Sequence, residues 1–134
     1  MYQQVIVPTV TYGAETLGLR EAERRLLNVF EMKCLRPMVG VTRWDRIRNE
    51  EIRRNAGVEE TLAEKVDRRL LRWFGHVERL DEGRWPRKVK AAKVEGQLVR
   101  GRPRFGWLDG VKRALAIREV GLQEATQLAR ERNV

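Results

Sequence analysis

The stretch that decides the fold is Glu64-Lys65-Val66-Asp67-Arg68-Arg69-Leu70-Leu71-Arg72-Trp73-Phe74-Gly75-His76-Val77-Glu78-Arg79-Leu80. On a helix, at about 100° per residue, its side chains sort into three sectors. Val66, Leu70, Trp73, Phe74, Val77 and Leu80 share an apolar arc, so these residues read as core. Lys65, Arg68, Arg69, Arg72, His76 and Arg79 share a second sector, and Glu64, Asp67 and Glu78 fall on a far flank with Leu71. A solvated helix gains a few tenths of a kcal/mol per pair by mixing charges at i,i+4. Segregated charge instead builds a one-sided positive field that suits a polyanion.

Outward from that helix, the charge stays local. Of the net +9, residues 43–113 carry +8, with 20 basic and 12 acidic side chains. Residues 84–104 hold 8 basic side chains against the single Glu95. Arg84, Arg87, Lys88, Lys90 and Lys93 have no acid among them and read as phosphate contacts with little structural purpose. Trp85 reads either as a turn anchor or as a stacking platform for an unpaired base. Arg100-Gly101-Arg102-Pro103 matches the short core of an AT-hook. Phe105, Trp107, Leu108 and Val111 follow at core-like spacing, which favours a turn at Gly101, a helix opening at Pro103, and phosphate contacts from Arg100, Arg102 and Arg104.

The remaining segments read as helices. Residues 19–39 place Leu26, Leu27, Phe30, Cys34 and Met38 on one stripe, which makes Cys34 a core thiol, and Gly40 suits the stop. Asn49 is placed to cap a helix over 50–56. Pro86 suits the opening of a helix running to about Val94, and residues 121–132 form a polar terminal helix. Residues 2–15 fit helix or strand: β-branched residues favour a strand, and Pro8 penalises the interior of either. Gly106 and Gly110 each weaken the helix that contains them by up to ~1 kcal/mol. The expected fold is all-α, a compact or loosely packed array of about five to seven short helices without a sheet.

Several function classes recede on chemistry. One cysteine and one histidine cannot supply the four ligands of a structural zinc site or form an internal disulfide. No apolar run approaches the ~18 residues of a membrane span, so no membrane partner is expected. His76 lacks any evident carboxylate partner for general-base work, and hydrogen bonding or phosphate contact suits it better. Asp45, Asp67, Asp81 and Asp109 are scattered among arginines instead of converging on a two-metal site. No catalytic residue, metal, cofactor or small-molecule substrate is expected. The candidate nucleic-acid contacts are Arg68, Arg69, Arg72, His76, Arg79, Arg84, Arg87, Lys88, Lys90, Arg100, Arg102 and Arg104, with Trp85 as a stacking candidate.

Arg72-Trp73-Phe74-Gly75-His76-Val77-Glu78-Arg79 and Gly101-Arg102-Pro103-Arg104-Phe105-Gly106-Trp107-Leu108-Asp109 also resemble the C-terminal region, beyond the polymerase palm, of reverse transcriptases from non-LTR (LINE-like) retrotransposons. Tyr12-Gly13-Ala14-Glu15-Thr16, Phe30-Glu31-Met32-Lys33-Cys34-Leu35-Arg36 and Asp45-Arg46-Ile47-Arg48-Asn49-Glu50-Glu51 resemble that family's strings in the same order. The resemblance implies a helix for residues 2–15, an incomplete thumb-like segment over 1–40, and a basic helical region over 41–134, the two expected to form one continuous structural unit. It implies a grip on template RNA or on target and primer DNA, with the parent's palm as a further partner. Its polymerase signature, an aromatic followed by Ala-Asp-Asp, is absent, so the chain is expected to be non-catalytic. Leu17 stands where the family usually has tryptophan, Gly106 and Gly110 where it has charged residues, and only Arg132-Asn133-Val134 where it has a closing Asp-Arg-x-x-Trp. The resemblance further implies a fragment or truncated reading frame, intracellular and nuclear, with a cytoplasmic ribonucleoprotein stage if the element is active. The competing readings are a module that packs its basic face on an acidic protein or the palm, and a decayed fragment without activity.

Overall fold

The computed structural model describes residues 1–92, 101 and 104–131. Among them are seven α-helices and no strand: the protein is all-α. The helices are α1 (Val7–Thr11), α2 (Glu21–Val39), α3 (Asn49–Asn55), α4 (Leu62–Arg79), α5 (Trp85–Ala91), α6 (Trp107–Ala116) and α7 (Leu122–Glu131). A π-helical turn, Tyr2–Ile6, leads into α1, and a 3-10 turn, Ala14–Thr16, follows it. The N-terminal segment is therefore helical.

Helix α4 is the axis of the molecule. It packs against α1, the 3-10 turn, α2, α5, α6 and α7, while α3 reaches the assembly through α2. Its start is fixed by a capping box. Glu64 N–H donates to Thr61 Oγ1 at 3.2 Å, and Thr61 N–H donates back to Glu64 Oε2 at 2.8 Å. Val66, Leu70, Phe74 and Val77 are each at most 2 % exposed, so the apolar arc faces inward as its spacing predicts. Leu62, at its first turn, belongs to a cluster with Tyr2, Met32, Leu35, Ile52 and Val58. Leu70 and Phe74 belong to a second cluster with Val111, Ala114 and Leu115. Burial at this depth contributes roughly 1.5–3 kcal/mol per large apolar side chain.

Two sequence expectations fail on α2. Its inward residues are Glu31, Met32 and Leu35, whereas Leu26, Phe30 and Met38 are exposed. Cys34 is half-buried at the edge of the first cluster. The reason is a polar anchor at the core. The Glu31 carboxylate is fully buried and accepts from Tyr2 Oη at 2.8 Å, from the Leu62 N–H at 3.0 Å and from Arg53 Nε at 2.9 Å. Three donors from three other parts of the chain thus set the rotation of α2. On α3, Asn49 is not the cap: Arg48 holds that position, and Asn49 Oδ1 accepts from Arg36 Nη2 at 3.0 Å.

The C-terminal helices also shift from their expected bounds. Helix α5 ends at Ala91, and Val94 lies outside the described residues. Helix α6 opens at Trp107, not at Pro103. The Gly106 N–H donates to Asp109 Oδ2 at 2.8 Å, so the aspartate closes the first turn that Pro103 was expected to open.

Candidate nucleic-acid interface

The apolar arc of α4 faces the core, so its phase fixes what lies on the opposite side. Arg68, Arg69, Arg72 and His76 are exposed, and Arg79 is half-buried. Arg69 donates to the Thr11 carbonyl at 3.2 Å, and Arg79 donates to the Ala129 carbonyl at 3.3 Å. These bonds orient both guanidiniums without neutralising them. Arg68 pairs with Glu60 at 3.0 Å, an exposed contact of the kind that holds a side chain only weakly. Arg72 and His76 make no hydrogen bond or ion pair among the described residues. Lys65, placed in the same sector by the sequence, is buried: its Nζ donates to Gln3 Oε1 at 3.2 Å and lies 5.8 Å from the Tyr2 ring centroid.

A shallow groove runs along this face, with a volume of about 520 Å³. It is lined by Glu15, Arg69, Arg72, Trp73, His76 and Arg79. The wall opposite α4 is held by long-range contacts. Trp107 Nε1 donates to the Glu15 carbonyl at 3.0 Å, Arg113 Nη1 donates to the Leu19 carbonyl at 3.0 Å, and Arg113 also pairs with Glu21. Gly18 and Gly110 touch backbone to backbone, so the segment after the 3-10 turn lies directly on α6. Glu15 reaches the groove because of these contacts.

Trp73 departs from its expected place in the core. It is half-buried, belongs to neither apolar cluster of the described residues, and lines the groove. Its ring lies 5.2 Å from that of His76, tilted by 31°. The arc places Trp73 at its edge, beside Arg72 and His76, which is where the groove begins. Phe74 and Trp107 do pack inward: Phe74 is 2 % exposed, and the two rings sit 6.2 Å apart.

The far flank of α4 is the larger surprise. Asp67 and Glu78 are buried instead of solvated. Arg24 pairs with Asp67 from α2. Glu78 draws in Arg87 at 2.8 Å, Lys90, and Arg130 at 3.8 Å. Arg87 also donates to the Glu78 carbonyl at 2.7 Å, which ties it to the last turn of α4. Arg87 and Lys90 therefore have a structural purpose, contrary to the sequence reading: they dock α5 on α4. A buried carboxylate needs such partners, since leaving it unpaired costs about 3–5 kcal/mol.

Of the remaining basic residues, Arg84, Lys88 and Arg104 are exposed. Trp85 is 78 % exposed, which removes the turn-anchor reading, and the Lys88 ammonium lies 5.6 Å from its ring centroid. Arg100 and Arg102 lie outside the described residues, so the AT-hook reading does too. The structure thus gathers Arg69, Arg72, His76 and Arg79 into one groove, with Arg68 beside them, and sets Trp85 and Lys88 on a separate helix, α5, with Arg84 at its N-cap. Among the described residues there is no cluster of three His, Cys, Asp or Glu side chains able to hold a metal ion, and no helix long and apolar enough to cross a membrane.

Comparison with known proteins adds one finding. The chain is similar to an uncharacterised transposon-derived protein of Caenorhabditis elegans, 26 % identical over 124 residues. The match covers 89 % of this chain and 44 % of that protein, so the chain spans less than half the length of its relative. No family model and no solved structure matches it.

Proposed function

We propose that this chain is a nucleic-acid-binding module from a transposable element, related to the C-terminal region of non-LTR retrotransposon reverse transcriptases. The observation that carries the proposal is the unneutralised basic face of α4: Arg69, Arg72, His76 and Arg79 share one groove, with Glu15 as the single carboxylate in its lining. Phosphates are the chemistry such a face recognises, through guanidinium forks and released counterions. The similarity to a transposon-derived protein supports the origin, and the ordered motif strings support the finer assignment.

In this reading the module grips RNA or DNA without reacting with it, and its site of action is the nucleus. Arg84, Lys88 and Arg104 supply outlying contacts. Arg87 and Lys90 leave the contact set because Glu78 already holds them. The test is a fluorescence-anisotropy titration of the purified chain with labelled single-stranded RNA, single-stranded DNA and duplex DNA, repeated with polyglutamate as competitor. Micromolar binding that polyglutamate displaces only at large excess supports the proposal. Equal competition by polyglutamate favours the reading in which this face packs on an acidic protein.

A further inference from the structure

We infer that the α4 groove takes an unpaired base against Trp73, so that the module discriminates single strands from duplex; this rests on the nucleic-acid reading above. A tryptophan on the apolar arc of a core helix is expected to pack inward. Trp73 instead stands outside both apolar clusters, is only half-buried, and is among the residues that line a cationic groove. Arg69, Arg72 and Arg79 flank it along α4 over roughly 15 Å, at 1.5 Å of helix rise per residue. An aromatic ring set among guanidiniums is the arrangement that holds single strands: arginines follow the backbone while a base stacks on the ring. A base inside a duplex has both faces covered by its neighbours, so its ring cannot lie on Trp73 without being unstacked.

The side chains that line the groove agree with one nucleotide at this position. His76 lies 5.2 Å from Trp73 between ring centroids, and Arg72 and His76 keep their donors unengaged among the described residues. Glu15 is the one carboxylate in the lining, and it suits a base N–H donor better than a phosphate. The groove therefore has three functional parts: cations for the backbone, an aromatic surface for a base, and one acceptor for its edge.

The test compares the wild-type chain, Trp73→Leu and Trp73→Phe on a labelled 12-nucleotide single strand and on the same sequence in a hairpin duplex. A stacked base contributes ~1–3 kcal/mol, or roughly 5- to 150-fold in affinity. Trp73→Leu is expected to weaken single-strand binding by at least about 5-fold with little change on the duplex, and Trp73→Phe to recover most of the loss. The single strand should also quench tryptophan emission in the wild type, and much less in Trp73→Phe. That second readout stands even if Trp73→Leu fails to fold. Unchanged single-strand affinity in Trp73→Leu, equal losses on both ligands, or undiminished quenching in Trp73→Phe would overturn the stacking inference while leaving the phosphate grip intact. Absence of wild-type binding to either ligand would instead remove the nucleic-acid reading itself.

Discussion

Gly110 on α6 and Gly18 meet backbone to backbone: a Cβ built on Gly110 would lie 2.4 Å from the Gly18 Cα. The contact closes the second cluster, with Leu70 Cδ2 at 3.5 Å on the same side, and it holds the segment that carries Glu15 to the groove. Helix propensity alone favours alanine over glycine here by ~1 kcal/mol. The steric clash outweighs it, because the opposing atom is backbone and cannot rotate away.

Gly110→Ala is therefore expected to lower stability by about 1–3 kcal/mol, the usual cost of overpacking a close-packed site. Urea unfolding followed by circular dichroism measures it. Gly106→Ala serves as the comparison, since a Cβ there meets only Asp109 Oδ2 at 3.5 Å. Stability equal to or above wild type in Gly110→Ala would contradict this packing.

Arg72 and Arg87 are expected to separate binding from folding. Arg72 is exposed and lines the groove, so Arg72→Ala should leave the melting temperature unchanged and weaken nucleic-acid binding. Arg87 is bound to buried Glu78, so Arg87→Ala should destabilise the domain by about 1.5–3 kcal/mol through its lost bonds to the Glu78 carboxylate and carbonyl, Lys90 and Arg130 remaining beside the carboxylate. Thermal melts and anisotropy on both variants distinguish the two roles. A large melting shift in Arg72→Ala would show that the helical phase is wrong.

Glu64 titrates below its ordinary value of 4.5. Burial pushes its carboxyl up, but the Thr61 N–H and hydroxyl, together with Arg53 and Arg24, pull it down further. A depressed folded-state value means that the unfolded chain binds the proton first. Stability from this cap is present above about pH 4.5 and falls as pH drops through the folded-state value. Thr61→Ala should cost about 1 kcal/mol at neutral pH, and its deficit should shrink on acidification below pH 4.5. Denaturant midpoints at pH 7 and pH 3.5 check this, and a deficit that grows on acidification would contradict it.

The sequence made some of this visible and hid the rest for identifiable reasons. Helix α4 was legible because its apolar residues recur at one helical phase. Helix α2 was legible in its extent and its stop at Gly40, but its inward face was not, because Glu31 sets it and the apolar stripe through Leu26, Phe30 and Met38 stays exposed. The partners of Glu31 come from Tyr2, Arg53 and Leu62, and no local pattern announces them. The same holds for Asp67 and Glu78, which look like solvated acids until Arg24, Arg87 and Lys90 are brought to them. The basic strip of the groove could be read from spacing alone. Its opposite wall could not, since Glu15 arrives through Gly18, Gly110 and Trp107.

The most direct measurement is the salt dependence of nucleic-acid affinity in the wild-type chain and in Arg72→Ala. Each phosphate contact contributes roughly −0.7 to −0.9 to the slope of log affinity on log salt. With Arg69, Arg72 and Arg79 engaged, the account predicts micromolar or tighter binding at low salt and a slope of about −2 to −3, reduced by about 1 in Arg72→Ala. A flat slope, or no binding at low salt, would contradict a phosphate-gripping groove on α4.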